Sequence, residues 1–274
     1  MQISLPKILV VSLAFVAASA YAASADDRSA PAPMAPAPYN WTGVYAGLFG
    51  GGAFPDKSST VTDCRGSKFT CSGPSVHEDF NLNRSFAGGL TLGYNWQAGK
   101  ALIGLEGEGG EAHMSGSGNF GGATKQPNVE SEKFGSPYGV LSARIGATAN
   151  AFADFPGADR VLLFGKIGAA VGDFRSALLY GNSPATAGFF TENLAETTAF
   201  PALAVGGGVE WAIVGNLSVK AEYQYLAFNG HVTACGPVQK AGLGAPIVPT
   251  TIVCSSGSVP GLNLVKIGLN YKFF

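Results

Sequence analysis

Residues 85–96 read SFAGGLTLGYNW, and they alternate. Phe86, Leu90, Leu92, Tyr94 and Trp96 share one parity. Ser85, Ala87, Gly89, Thr91, Gly93 and Asn95 share the other. A period of two is the repeat of a β-strand, whose successive side chains point to opposite faces. The same pattern recurs along the chain. Residues 101–109 set Ile103 and Leu105 against Glu106 and Glu108. Residues 136–147 set Leu141, Ala143 and Ile145 against Ser142 and Arg144. Residues 161–174 set Leu163, Ile167 and Val171 against Lys166. Residues 201–212 set Leu203, Val205, Val209 and Trp211 against Glu210. Residues 217–228 set Leu217, Val219, Tyr223 and Tyr225 against Lys220, Glu222 and Gln224. Residues 263–274 set Val265, Ile267, Leu269, Tyr271 and Phe273 against Lys266, Asn270 and Lys272. With residues 41–54 as the first, these segments predict eight strands. The 39 glycines argue against a helical bundle, because each weakens a helix interior by about 1 kcal/mol.

An alternating face can be buried in a soluble core or turned to lipid. A soluble β-sandwich or lipocalin-like barrel shows the same period. Composition favours lipid: 46% of residues are hydrophobic and 13% charged, against roughly 25% charged in soluble domains. Beyond residue 25 no run long enough for a membrane helix occurs. The apolar faces end in Trp and Tyr, as at a bilayer interface. Their opposite faces carry Gly, Ala, Ser and matched charges, which suits a narrow lumen. The connections alternate in length. Those at 97–100 and 213–216 are short, and the stretch around DFPGADR (154–160) is somewhat longer. Those at 55–84, 111–135, 175–200 and 229–262 are long. This rhythm predicts an all-β, eight-stranded antiparallel up-and-down transmembrane barrel, with short periplasmic turns and four long extracellular loops. Both termini fall on the periplasmic side.

The N-terminus reads as an export signal, residues 1–25. Lys7 precedes the apolar run 8–20, and two small-residue cleavage sites follow, AYA (20–22) and ASA (23–25). Residues 26–40 form a Pro/Ala-rich periplasmic linker, expected to be extended and unpacked. The barrel is residues 41–274. A net charge of −1 and the absence of a basic cluster exclude nucleic acid as a partner.

Four stretches resemble a known family. They are YNWTGVYAGLFGG, GGLTLGYNWQ, VGGGVEWAIVGNLSVKAEYQYLAF and the terminal VKIGLNYKFF. Across residues 41–274 the chain is similar to small eight-stranded Gram-negative outer-membrane barrels, the outer membrane immunogenic or porin-family proteins. The resemblance implies location in the outer membrane and surface-exposed loops, with no single biochemical activity. Some relatives bind haem and others support envelope integrity. The partners it implies are outer-membrane lipid, lipopolysaccharide and the barrel assembly machinery. Lys266, Gly268, Tyr271 and Phe273 match the C-terminal signal read by that machinery, and Phe274 lies one residue beyond it.

Three constellations could carry chemistry. By parity the lumen receives Glu106, Glu108, Glu210 and Glu222, against Arg144, Lys166, Lys220, Lys266 and Lys272. Buried charges must pair, so these residues are expected to form a salt-bridged plug, or else to line a narrow ion path. Cys64, Cys71, Cys235 and Cys254 lie in the first and fourth long connections of an exported chain, where disulfides are expected. Pairing within each connection, Cys64–Cys71 and Cys235–Cys254, is preferred, and a pairing between connections stays open. His77, His113 and His231 fall outside the cell. Each is an ordinary solvated residue or a haem ligand. No motif for a nucleophile, metal or phosphate loop occurs, so no enzyme activity and no cofactor are expected. The leading expectation is a structural, surface-presenting barrel. A narrow porin-like channel and a loop-borne ligand binder are the alternatives.

Overall fold

A computed structural model describes residues 38–66, 76–80, 82–120, 128–134, 137–180, 189–190, 192–237, 240–241 and 252–273. The expected export signal (residues 1–25), residues 26–37, Cys71 and Phe274 lie outside the described residues. The strands in chain order are β1 (Gly43–Pro55), β2 (Ser59–Gly66), β3 (Val76–Phe80), β4 (Ser85–Ala98), β5 (Ala101–Ala112), β6 (Met114–Phe120), β7 (Asn128–Phe134) and β8 (Tyr138–Thr148). They continue as β9 (Val161–Tyr180), β10 (Phe189–Phe190), β11 (Glu192–Val214), β12 (Leu217–Phe228), β13 (His231–Pro237), β14 (Lys240–Ala241), β15 (Ile252–Ser258) and β16 (Leu262–Lys272).

Eight of these close an antiparallel barrel in the order β1, β4, β5, β8, β9, β11, β12 and β16, with β16 returning to β1. At the closure Leu48 stands opposite Leu269 on one side and Leu90 on the other. The last strand is therefore part of the wall. The faces follow the alternation. Phe86, Leu90, Leu92 and Trp96 of β4 are exposed on the outer surface, while Ala87, Thr91 and Asn95 are buried inside. In β1, where both parities are apolar, Val44 and Leu48 face outward and Tyr45 and Phe49 inward. Gly99 and Gly215 adopt left-handed φ of 62° and 52° in the short turns, a conformation that costs glycine nothing.

The long extracellular stretches differ from expectation, because they contain strands. β9 and β11 stay paired over their whole length, from Trp211 opposite Val161 to Glu192 opposite Tyr180. The β6–β7 hairpin extends the same wall, with β7 pairing the outer half of β9. A separate four-stranded sheet runs β13-β15-β2-β3, and β10 pairs with β14. The physical reason is compositional. Segments such as STVTDCRG and MSGSGNF have no apolar parity to report a face. They are strands because a neighbour offers unpaired N–H and C=O groups.

The two triple-glycine runs have a steric role. Gly51 stands opposite Lys266 and Gly208 opposite Glu222, both on the lumen side. A Cβ at Gly208 would lie 2.1 Å from the Ala221 carbonyl oxygen, whereas one at Gly109 would meet nothing within 4 Å. Gly208→Ala should therefore destabilise the folded barrel by about 1–3 kcal/mol. Gly109→Ala should stay within about 0.5 kcal/mol of the parent. Urea midpoints in detergent measure both, and equal midpoints would contradict the steric assignment.

Candidate functional site

The lumen faces of β12 and β16 are apolar at the extracellular end and charged or polar from there towards the periplasmic end. On β12 the face runs Ser218, Lys220, Glu222, Gln224, Leu226 and Phe228. On β16 it runs Leu262, Leu264, Lys266, Gly268 and Asn270. Stacked around the barrel, these faces form three layers.

The middle layer is ionic. Lys166 Nζ lies 2.7 Å from Glu106 Oε1, 2.6 Å from Glu222 Oε1 and 3.4 Å from Glu108 Oε2. Lys220 Nζ lies 2.9 Å from Glu106 and 3.2 Å from Glu222. Lys266 Nζ lies 2.7 Å from Glu108 and 2.9 Å from Glu222, and it donates to Gln224 Oε1 at 2.8 Å. Arg144 pairs with Glu210 at 2.5 Å. The Glu210 carboxylate also accepts from Ser218 at 2.6 Å and Asn270 at 2.8 Å. The Arg144 guanidinium stacks 3.8 Å over the Phe164 ring. Tyr45 donates to Glu106 at 2.7 Å and accepts from Arg144 at 3.3 Å. Tyr138 donates to Glu108 at 3.2 Å. All eight charged side chains are at most 3% exposed. Four carboxylates thus face four cations in a space that excludes bulk water.

The arrangement also decides what the layer cannot hold. Carboxylate oxygens of Glu106, Glu108 and Glu222 come within 4.8 Å of one another, a spacing a metal ion could bridge. Each already faces a lysine ammonium, so the trio presents no net negative charge to a cation.

The extracellular layer is apolar. Phe49, Ala53, Tyr138, Val140, Ala170, Phe174, Leu226, Phe228, Leu262 and Leu264 fill the lumen there. Leu82, Met114, Val232 and Val259 from outside the barrel strands pack onto them. Phe174 meets Phe228 edge-on at 5.1 Å.

The periplasmic layer closes the other end. Trp41 is buried with Leu102, Leu162 and Ala212. Its backbone N–H donates to Gln97 Oε1 at 2.7 Å, and its indole N–H donates to the Asp159 carbonyl at 3.0 Å. The Tyr39 N–H donates to the Asp159 carboxylate at 2.6 Å, and the Tyr39 ring packs edge-on against Trp41 at 4.9 Å. Burial pushes the Tyr39 hydroxyl pKa up. The last residues of the stretch expected to be unpacked are therefore tied across the mouth.

Sequence parity brought eight of nine charged residues to one cluster. Lys272 is the exception. It sits at the periplasmic rim, donates to the Asn40 carbonyl and lies 4.9 Å from the Tyr39 ring. It faces inward, but two residues beyond Asn270, where the carboxylates have run out. Tyr45, Tyr138, Ser218 and Trp41 were missed. The parity that Trp41 shares with Tyr45 and Phe49 was the available signal.

The other candidates lie elsewhere. Tyr271 and Phe273 face outward with their rings edge-on at 5.3 Å, while Lys266 and Gly268 face the lumen. His113 is exposed and lies 4.0 Å from Glu111, and His231 is exposed. For His77 only the backbone, in β3, is described. Cys254 stands opposite Cys235 on one side and Cys64 on the other. The backbone register thus accommodates either an intra-connection or a cross-connection pairing of Cys254.

Removing one partner of a buried pair strands the other, at a cost of about 3–5 kcal/mol, whereas replacing both by apolar groups is often neutral. Glu210→Ala should lower stability by that amount, and Arg144→Met with Glu210→Met should recover most of it. Equilibrium urea unfolding in detergent reads the difference. A double variant no more stable than Glu210→Ala would rule out a stranded charge as the cause.

Comparison with known proteins agrees with this architecture. The chain is 26% identical over 245 residues to the 31 kDa outer-membrane immunogenic proteins of Brucella melitensis and Brucella suis, covering 86% of this chain and 85% of each relative. Among solved structures it is similar to the outer membrane protein OprG from Pseudomonas aeruginosa, at 12% identity and a TM-score of 0.45, covering 85% of this chain and 97% of that one. The model of the OmpA-like transmembrane domain matches residues 42–274. The chain therefore belongs to the OmpA-like transmembrane domain family and is a β-barrel protein of the Gram-negative outer membrane.

Proposed function

We propose that this barrel is a closed structural anchor that holds extracellular β-structure at the cell surface. The observation carrying the proposal is the filled lumen. An eight-stranded barrel has room for little more than its own side chains. Here an apolar layer, an ionic layer and a second apolar layer occupy it in series. An ion crossing it would have to separate paired charges and then pass two apolar layers, each of which costs solvation. The extracellular parts, by contrast, extend as paired strands on β9 and β11 and as the sheet of β2, β3, β13 and β15.

Single-channel recording in planar bilayers tests the proposal. The wild-type barrel should give no resolved steps, and Glu210→Gln should stay silent while losing thermal stability. A steady, reproducible wild-type conductance would replace the anchor with the narrow-channel reading.

We further propose that Tyr271 and Phe273 present the chain's end to the barrel assembly machinery. Phe273→Ser should reduce the folded, heat-modifiable form in the outer membrane several-fold, and deletion of Phe274 should leave most of it. Equal losses in the two variants would sink that role for Phe273.

A further inference from the structure

The periplasmic connections are unequal. Those after β4 and β11 are tight turns at Gly99 and Gly215, but β8 and β9 are joined by residues 149–160. This connection is built rather than loose. Two 3-10 turns, Ala149–Ala151 and Ala158–Arg160, frame it. Backbone bonds run from the Phe152 and Ala153 N–H to the Ala149 carbonyl and from the Ala158 N–H to the Phe155 carbonyl, each 3.0 Å. Its neighbours brace it on both sides. Lys100 Nζ donates to the Asn150 carbonyl at 2.7 Å, and Arg160 donates to the Ile213 carbonyl at 3.3 Å. At its tip Phe152 is 72% exposed and Phe155 49% exposed. Burying apolar rings is favourable, and a braced turn that holds two of them outward suits an apolar occupant.

The lipid-facing surface supplies it. Near the periplasmic ends of the strands, exposed aromatic rings stand on β4 (Trp96), β11 (Trp211) and β16 (Tyr271), with Phe273 just beyond. These form the interfacial girdle of a membrane barrel. The girdle is broken singly at β1 (Val44) and β12 (Val219), and its widest gap spans three strands. On three adjacent strands, β5, β8 and β9, the corresponding outward residues are Ile103, Ile145 and Leu163, none aromatic. The connection carrying Phe152 and Phe155 joins two of those three strands.

We propose that Phe152 and Phe155 complete the girdle from the turn, seating in the headgroup region of the periplasmic leaflet. Phospholipid is the occupant. Asp154, between the two rings, is exposed and sets the depth. A carboxylate is costly in hydrocarbon, so the rings stop at the headgroup–acyl boundary.

Brominated-lipid quenching tests this. The chain's other tryptophans are Trp41, Trp96 and Trp211. Phe155→Trp is placed in a Trp96→Phe, Trp211→Phe background, with buried Trp41 retained. The folded protein is reconstituted in phosphatidylcholine vesicles carrying bromine either high or low on the acyl chain. Emission added by the new tryptophan should fall at least twofold with the shallow bromines and little with the deep ones. No quenching by either lipid, with the emission maximum of a water-exposed indole, would overturn the proposal and leave the turn as a surface for a periplasmic protein. Strong quenching by the deep bromines alone would also overturn it. If the triple variant does not fold, the wild-type protein in nanodiscs decides the matter. Nuclear Overhauser contacts from the Phe152 and Phe155 rings to lipid glycerol and upper-chain protons support the seating. Contacts to water alone reject it.

Discussion

Four carboxylates and four cations share a lumen with no bulk water, and the rest of the molecule is arranged around that fact. Desolvating a single charge costs several kcal/mol, which mutual attraction offsets only when the geometry is good. The geometry here is cooperative. Glu222 meets three lysines, and Lys166 meets three glutamates. No ion has one partner to itself except in the Arg144–Glu210 pair, which Ser218, Asn270 and Phe164 support. Such a network works only if every long side chain has space. Glycines facing the lumen provide it: Gly104 stands opposite Arg144, Gly51 opposite Lys266 and Gly208 opposite Glu222.

The two apolar layers follow from the same constraint. Water reaching the ionic layer would weaken every pair in it, because attraction falls as the local dielectric rises. Trp41 and its neighbours guard one end and the Phe174–Phe228 cluster guards the other. The periplasmic guard depends on residues from four distant places in the chain. Gln97 holds the backbone of Trp41 and Asp159 its indole, while Lys272 and Tyr39 close over it. At the extracellular end β9 and β11 stay paired out to Tyr180 and Glu192, and a second sheet is formed by β13, β15, β2 and β3.

Strand faces were legible because lipid and lumen make opposite demands on neighbouring residues. Leu90 and Thr91 differ for that reason, as do Leu105 and Glu106. The charged cluster was legible for the same cause, since parity alone brings Glu106, Glu222 and Lys266 to one side. The extracellular strands were not legible. Residues 114–120 and 252–258 are mostly small and polar on both faces, and their pairing is set by the edge beside them. Trp41 shares the inward parity of Tyr45 and Phe49, but both parities of that first segment are apolar, so its role as a seal was hidden. Lys272 misled because parity gives a direction and no depth.

Period-two alternation, low charge and long-short connection lengths determined by themselves a membrane barrel with inward charges. These are local demands, met residue by residue against lipid or lumen, so one strand at a time suffices to read them. Tertiary structure alone decided which charges pair, that Trp41 and Tyr39 seal the periplasmic mouth, and that the long connections become sheet. Each of those depends on strand stagger and barrel closure, which bring residues such as Glu108 and Lys266 within 2.7 Å across 158 positions of chain.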